Sequence, residues 1–412
     1  MAKLLTNIGC LVGVDEARTG LKRGLEMRQL NQIEQAWLLT EGPQIAAFGS
    51  MKALPAVNAS VEVIDLKGAW VFPSICDPHT HLVFAASREG EFLDKLQGLT
   101  YEQIAAKGGG ILNSAAKLQQ MDEEALYEQS AWRLDQAARQ GIGAIEIKSG
   151  YGLTLADELK MLRVIRRLKE SSAVLVKATC LGLHAIPLEY KQNKEAYVKL
   201  VIERLIPEVA AEGLADFVDV FCETNYFSVD DMLAVMDAGA KHGLKAKVHV
   251  NQFNALGGIA AAVGHGALSV DHLEVMEEAD FEALQGSHTI PTVLPGCSFY
   301  LRIPYAPARQ MIDRGLGIAI ASDFNPGSSP SINPELNLSL ACIQQRLLPE
   351  EAINAATINA AFAMDSGSEV GSIAIKKRAN LLVTRALPSL AYLPYAFGER
   401  KVLRTMLNGQ FI

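Results

Sequence analysis

The residues in this chain that could do chemistry are imidazoles and carboxylates at a telling spacing. His79 and His81 flank Thr80 in the stretch from Cys76 to His81, just after the apolar run Ala69-Trp70-Val71-Phe72 and the break at Pro73. Side chains alternate along a strand, so His79, His81 and also Asp77 fall on one face. Two imidazoles placed this way can share one metal ion. A His-x-His pair alone reads equally well as two hydrogen-bonded histidines at a strand end, because so short a motif recurs by chance. The placing of the other polar residues decides between these readings.

Between about residues 70 and 365, short β-rich runs alternate with helical stretches. The runs are Ile75–His81, Ala144–Lys148, Leu175–Leu181, Phe217–Glu223, Ala246–Val250, Leu268–His272, Ile290–Leu294 and Ile318–Ser322. Thr154 with Asp157, and Ser228 with Asp231, have the spacing of capping boxes. They open predicted helices over Leu155–Lys169 and Val229–Lys241, the second stopped at Gly243. Alternating β and α units place the chain in the α/β class, as a (β/α)8 barrel of parallel strands. A doubly wound open sheet would carry a glycine-rich turn after its first strand, and none is present. The two ends read instead as short strands, around Leu4–Val12, Ala36–Leu39, Ile45–Phe48, Val61–Ile64, Asn380–Val383 and Arg404–Gly409. They are expected to pair into one small, sandwich-like β domain. The expected division is 1–68 and 367–412 for the small domain and 69–366 for the barrel. Residues 82–120, including Gly108-Gly109-Gly110, form a long connection, and such connections are often lids or binding segments. The three glycines lack the Gly-Lys-Ser/Thr of a phosphate loop, and a turn is the plainer reading.

Barrel chemistry collects where strands end. His79 and His81 end the first strand, Lys148 the second, Cys222-Glu223 the fourth, His249 the fifth, Asp271-His272 the sixth and Asp323 the eighth, while His184 follows the third. Five of the eight histidines thus stand at or just past candidate strand ends; His242, His265 and His288 do not. His79, His81, His249 and Asp323 can hold one divalent ion with a position left for water, and zinc or iron suits that set. Water bound to such an ion has a pKa of about 7 and supplies hydroxide at neutral pH. Asp323 could accept the water proton, and His272 could polarise the carbonyl under attack or hold the hydroxide. Lys148 could be carboxylated and bridge two metals; a structural salt bridge is its commoner role.

Composition bounds the rest. The chain has 412 residues and a net charge of −8, without a basic run, which argues against nucleic acid or an anionic membrane as partner. An anionic substrate would need local Arg or His residues to capture it. Cys10, Cys76, Cys180, Cys222, Cys297 and Cys342 are dispersed, without Cys-x-x-Cys, as expected of reduced thiols in a cytoplasmic protein. The mildly apolar start is interrupted by Asn7 and followed by Asp15 and Glu16, and reads as a strand rather than a signal peptide.

These features resemble the amidohydrolase superfamily and, within it, the imidazolonepropionase family. The resembling blocks are Asp77–Phe84, Ser87-Arg88-Glu89, Gly108–Ile111, Lys148–Leu153, Asp219–Glu223, Asp271–Glu274 and Ser322–Ser328. His-x-His marks only the superfamily, whereas Lys148–Leu153 and Asp323–Ser328 together are far more specific. The resemblance implies one zinc or iron ion per chain on His79, His81, His249 and Asp323. It also implies hydrolysis of the cyclic amide of the small molecule 4-imidazolone-5-propanoate to N-formimidoyl-L-glutamate, in histidine degradation to L-glutamate. Substrate contacts would fall on Arg88, Tyr151, His184, Gln252, Asn325, Gly327 and Ser328, with Tyr101 a weaker candidate. Similar enzymes form homodimers. An arginine fork suits the propionate carboxylate. The chain departs from the pattern at Gln252, where some members carry glutamate; a glutamine can orient substrate but cannot relay a proton. It departs again at Asn113–Leu118 and at Lys376–Asn380, where Gly-Lys-x-Ala-Asp is usual. Other readings are a hydrolase of another cyclic amide, an aminohydrolase acting on a heterocycle, and a barrel that binds without catalysing.

Overall fold

The strands of the central sheet are rich in apolar residues and buried along most of their length because both faces are covered. In the computed structural model, which describes residues 2–17, 20–56, 58–99, 103 and 109–412, every residue of Ile142–Lys148, Phe217–Cys222, Ser269–His272 and Ile290–Val293 is buried. Numbering strands along the chain, the small-domain strands are β1 (Ala2–Val12), β2 (Gln32–Glu41), β3 (Gln44–Ser50), β4 (Glu62–Asp65) and β5 (Trp70–Pro73). The barrel strands follow: β6 (Ile75–Asp77), β7 (Ile142–Lys148), β8 (Leu175–Leu183), β9 (Phe217–Cys222), β10 (Lys245–Val250), β11 (Ser269–His272), β12 (Ile290–Val293) and β13 (Ala319–Ile320). The chain ends with β14 (Leu381–Thr384), β15 (Val402–Leu407) and β16 (Gln410–Phe411).

Strands β6 to β13 lie side by side in chain order, all parallel, as the expected barrel requires. The seam between first and last strands is closed just beyond their ends. Asp323 N–H donates to His79 O (3.0 Å), His81 N–H donates to Phe324 O (2.9 Å), and Thr80 bridges Phe324. The first strand stops at Asp77, not His81, because Pro78 has no N–H for a ladder. Thr80 nevertheless stays tied to the next strand, since its carbonyl accepts from Lys148 N–H. The side-chain alternation that puts His79 and His81 together therefore survives the strand's formal end.

The predicted helices form with their predicted caps. Thr154 accepts from Asp157 N–H and opens Leu155–Ser171, two residues longer than expected. Ser228 and Asp231 make a reciprocal box at Val229–Lys241, and Gly243 follows at φ 76°. The connection 82–120 is not a bare loop. It carries helices Glu89–Leu96 and Ile111–Gln120, the latter entered through Gly110 at φ 87°. Tyr101 and Gly108 lie outside the described residues.

Both chain ends build one second sheet, mostly antiparallel, in the order β16-β15-β14-β5-β1-β2-β3, with β4 parallel to β1. Its core includes Leu5, Ile8, Leu11, Val71, Leu381 and Met406. Strand β5 joins this sheet, pairing with β1 and β14, and the chain enters the barrel two residues later. All six cysteines are free thiols. Among the described residues, no helix is long and apolar enough to cross a membrane.

Asn380 bolts the small sheet to the barrel floor. Its Nδ2 donates to Gly143 O (3.0 Å), its Oδ1 accepts from Asn408 N–H (2.8 Å), and its carbonyl accepts from Ser74 N–H. The departure from the usual aspartate is thus used: an amide donates and accepts at once, and a carboxylate only accepts. Asn380→Asp is expected to leave the Gly143 carbonyl facing an anion, at a cost of about 1–3 kcal/mol. Thermal unfolding should register this as a lower midpoint, and an unchanged midpoint would dismiss the bolt.

Candidate metal centre and active site

Strand-end backbone geometry aims the polar side chains at one point above the barrel. His79, His81 and His249 are buried, and their ligand nitrogens all lie within 4.8 Å of one another. His81 Nε2 and His249 Nε2 stand 3.3 Å apart. Asp323 Oδ1 is 3.5 Å from both His79 Nε2 and His81 Nε2. Behind them, His79 Nδ1 meets Asp271 Oδ2 at 2.7 Å and His249 Nδ1 meets Asp219 Oδ2 at 2.9 Å. Those carboxylates accept a hydrogen bond from Nδ1–H, so the Nε2 lone pairs face inward. His79 Nε2 is buried without a hydrogen-bond partner. Orphaned nitrogen, clustered lone pairs and a facing carboxylate fit a divalent cation, and the ligand set of three imidazoles and one carboxylate suits zinc or iron alike. Burial first, then Lys148 and the neighbouring histidines, hold His79 well below its ordinary pKa. Burial, then His184 and His249, do the same for His81. Neutral imidazoles are the form that binds metal.

The carboxylates behind the histidines are themselves caged. Lys148 Nζ lies 2.7 Å from Glu146 Oε1, 2.8 Å from Asp219 Oδ2 and 3.8 Å from Asp271 Oδ2. Lys247 Nζ lies 3.2 Å from Glu146 Oε2 and 4.0 Å from Asp271 Oδ2, and also donates to Pro78 O and Ala363 O. The Thr179 hydroxyl donates to Glu146. All five charged side chains are fully buried. Burial opposes the Lys148 charge, but Asp219, Glu146 and Asp271 outweigh it and raise its pKa. Burial likewise opposes the Asp219 charge, and His249 and Lys148 overcome it, holding Asp219 far below the carboxylate range. Lys148 is therefore an ammonium in an ion-pair cage. A carbamate there would set a fourth anion against three carboxylates.

The remaining expected residues surround this centre. The His184 ring stacks on His81 at 5.0 Å, and its Nδ1 donates to Gly150 O (3.0 Å). Burial pushes its pKa down to about 3, so His184 is neutral with Nε2 free to accept. Tyr151 lies 5.9 Å from His81 and 5.4 Å from His184, ring to ring, and burial holds its hydroxyl protonated. His272 stands 5.3 Å from His249 and 5.6 Å from His79, ring to ring. Burial opposes its charge, but Glu274, then Asp323 and Asp271, raise its pKa above the ordinary value. Asn325 organises the loop after Asp323: its Oδ1 accepts from Gly327 and Ser328 N–H, and its Nδ2 donates to Asp323 O and Ser328 Oγ. Ser328 Oγ in turn lies 3.3 Å from Asp323 Oδ2. A Cβ on Gly327 would fall 2.1 Å from Arg88 Nη1, so only glycine lets the arginine approach. Arg88 is held by Glu91 through Nε (2.9 Å) and Nη2 (2.5 Å). Gln252 is buried, with Nε2 3.5 Å from Cys297 Sγ. His242, His265 and His288 are exposed elsewhere.

Sequence reasoning overlooked the roles of Glu146, Asp219, Lys247, Asp271 and Glu274. A signal was available: each of the first four is a charge alternating with apolar residues along a buried strand, at the inward-facing parity of Lys148 or His249. Glu91 carried no such signal, because Arg88 and Glu91 look like an ordinary helical ion pair.

Comparison with known proteins agrees with this geometry. Residues 70–412 match the amidohydrolase family. The chain is 52% identical over 412 residues to an imidazolonepropionase of Christiangramia forsetii, and 50% identical over 412 residues to one of Flavobacterium johnsoniae, covering 100% of both chains in each case. Among solved structures, it superposes on Escherichia coli guanine deaminase with a TM-score of 0.72 at 15% identity, over 100% of this chain and 99% of that one. A triazine hydrolase from Arthrobacter aurescens gives 0.78 at 15% identity, over 100% and 94%. At such identities these two show a shared fold.

The cage has a measurable consequence. Asp271→Asn keeps the shape but removes the charge that holds the His79 Nδ1 proton. Zinc affinity should fall by about 10–100-fold in a competitive chelator titration. An unaltered affinity would separate the cage from the metal centre.

Proposed function

The chain belongs to the amidohydrolase family and, within it, to the imidazolonepropionases, and on that premise we propose that it hydrolyses the cyclic amide of 4-imidazolone-5-propanoate to N-formimidoyl-L-glutamate, a step of histidine degradation in the cytoplasm. The observation that carries this reading is the convergence of His79, His81, His249 and Asp323 beside His272, in a chain half identical to imidazolonepropionases. These four residues would hold one zinc or iron ion. When bound, such an ion supplies Lewis-acid activation of water at neutral pH.

The chain's own groups do the rest. Asp323 takes the proton of the attacking water and returns it to the ring nitrogen as the carbon–nitrogen bond breaks. His272, steadied by Glu274 at 3.5 Å, hydrogen-bonds the carbonyl oxygen as charge develops there. His184 accepts a ring N–H through its free Nε2, and Tyr151 donates its hydroxyl beside it. Arg88, fixed on one edge by Glu91, presents Nη1 beside Gly327 to the propionate. Asn325 acts through the loop it orders, setting Gly327 and Ser328, and Gln252 orients substrate without relaying a proton.

The test is turnover of freshly generated 4-imidazolone-5-propanoate before chelation, after it, and after metal is restored. Product is expected to disappear and return with the metal. No product from fully loaded protein would overturn the substrate, and ammonia release instead would mark an aminohydrolase. Arg88→Ala is expected to raise KM by about 10–100-fold with little change in kcat, as loss of a charge-assisted hydrogen bond shared by ground and transition states. An unchanged KM would remove Arg88 from the carboxylate site.

A further inference from the structure

We propose that His272, Glu274 and Cys297 form a second cation site, next to the first, which takes a thiophilic divalent ion such as zinc or cadmium and thereby inhibits the enzyme. The three side chains are buried, and their ligand atoms all lie within 4.8 Å of one another. His272 Nδ1 and Glu274 Oε2 face each other at 3.5 Å, and both atoms are buried without a hydrogen bond. The other Glu274 oxygen is occupied, accepting from Ser298 Oγ at 3.1 Å. Backbone strain brings the set together: His272 and Leu273 adopt φ of 89° and 68°, a left-handed pair that folds Glu274 back beneath His272. Cys297 reaches the same point from the start of the helix Pro295–Leu301, which follows β12.

The donor chemistry separates the two sites. The first offers nitrogen and oxygen only. The second offers imidazole nitrogen, carboxylate oxygen and sulfur, a set that favours zinc and cadmium over magnesium or calcium. The sites share no side chain but adjoin: the His272 ring lies 5.3 Å and 5.6 Å from those of His249 and His79, and the Cys297 thiol meets Asp323 of the first site. Binding forms a metal–sulfur bond, sends the thiol proton to solvent and moves no electrons between groups. Binding stands on these three side chains alone, while inhibition rests on the role proposed above for His272, which the second ion would engage.

The experiment titrates protein holding one equivalent of zinc with cadmium, following the near-ultraviolet cadmium–thiolate charge-transfer band, zinc retention and, separately, turnover. The expected result is a second equivalent bound with the band, zinc retained, and turnover falling in parallel. Cys297→Ser should lose the band and bind the second ion at least about tenfold more weakly, since even outer-shell losses cost that much. Its inhibition is scored against its own rate without cadmium. Glu274→Gln serves where Cys297→Ser does not fold, and should weaken the second equivalent while keeping a sulfur signal. No band in the unaltered protein, zinc displaced in place of a second ion bound, or a band that survives in Cys297→Ser would each overturn the site. A band without inhibition would overturn the inhibitory half and the His272 role together.

Discussion

Two lysine ammonium groups in the dry interior of the barrel hold three carboxylates, and the active face above depends on that cage. Burying an ion pair costs several kcal/mol per ion before attraction offsets it, so a core of packed hydrocarbons would serve stability as well. What hydrocarbons cannot do is hold the Nδ1 protons of His79 and His249. Asp271 and Asp219 do this, with Lys148 and Lys247 set against them from below, and Lys148 helps hold Asp219 below the carboxylate range. The cage sets two lysines among three acidic side chains, and a divalent ion above it would add positive charge.

The barrel seam ties this electrostatic arrangement to the fold. The hydrogen bonds that join first and last strands run between the backbones of His79 and Asp323 and of His81 and Phe324. Closing the barrel and bringing three ligands together are one event. The strand ends then turn sharply. Asn251, His272, Leu273 and Asp323 all hold positive φ without being glycine, and each such residue needs surrounding structure to enforce it. That strain sits where side chains leave the ladder and turn toward the site.

Much of this was legible in order along the chain. Strand parity placed His79 with His81, apolar runs located the barrel strands, and hydroxyl–carboxylate pairs marked the starts of two helices. Each signal is local, because backbone geometry repeats every two or 3.6 residues. The helices inside the long connection before residue 120 were not legible, because the helix Glu89–Leu96 has polar neighbours and no capping hydroxyl. Asn325 looked like a free substrate contact, yet both ends of its amide are used within its own turn.

By itself, the sequence determined which residue types stand at strand ends, and so the ligand set and the class of chemistry. Tertiary structure alone decided who pairs with whom. Lys148 meets Asp219 across 71 residues and Lys247 meets Glu146 across 101, and nothing local predicts such partners. Glu274 reaches His272 only through two strained residues, and although Arg88 and Glu91 pair locally, only the fold brings Gly110 and Gly327 to them. The physical reason is that a charge's neighbours in a dry interior are set by barrel closure, which depends on all eight strands together.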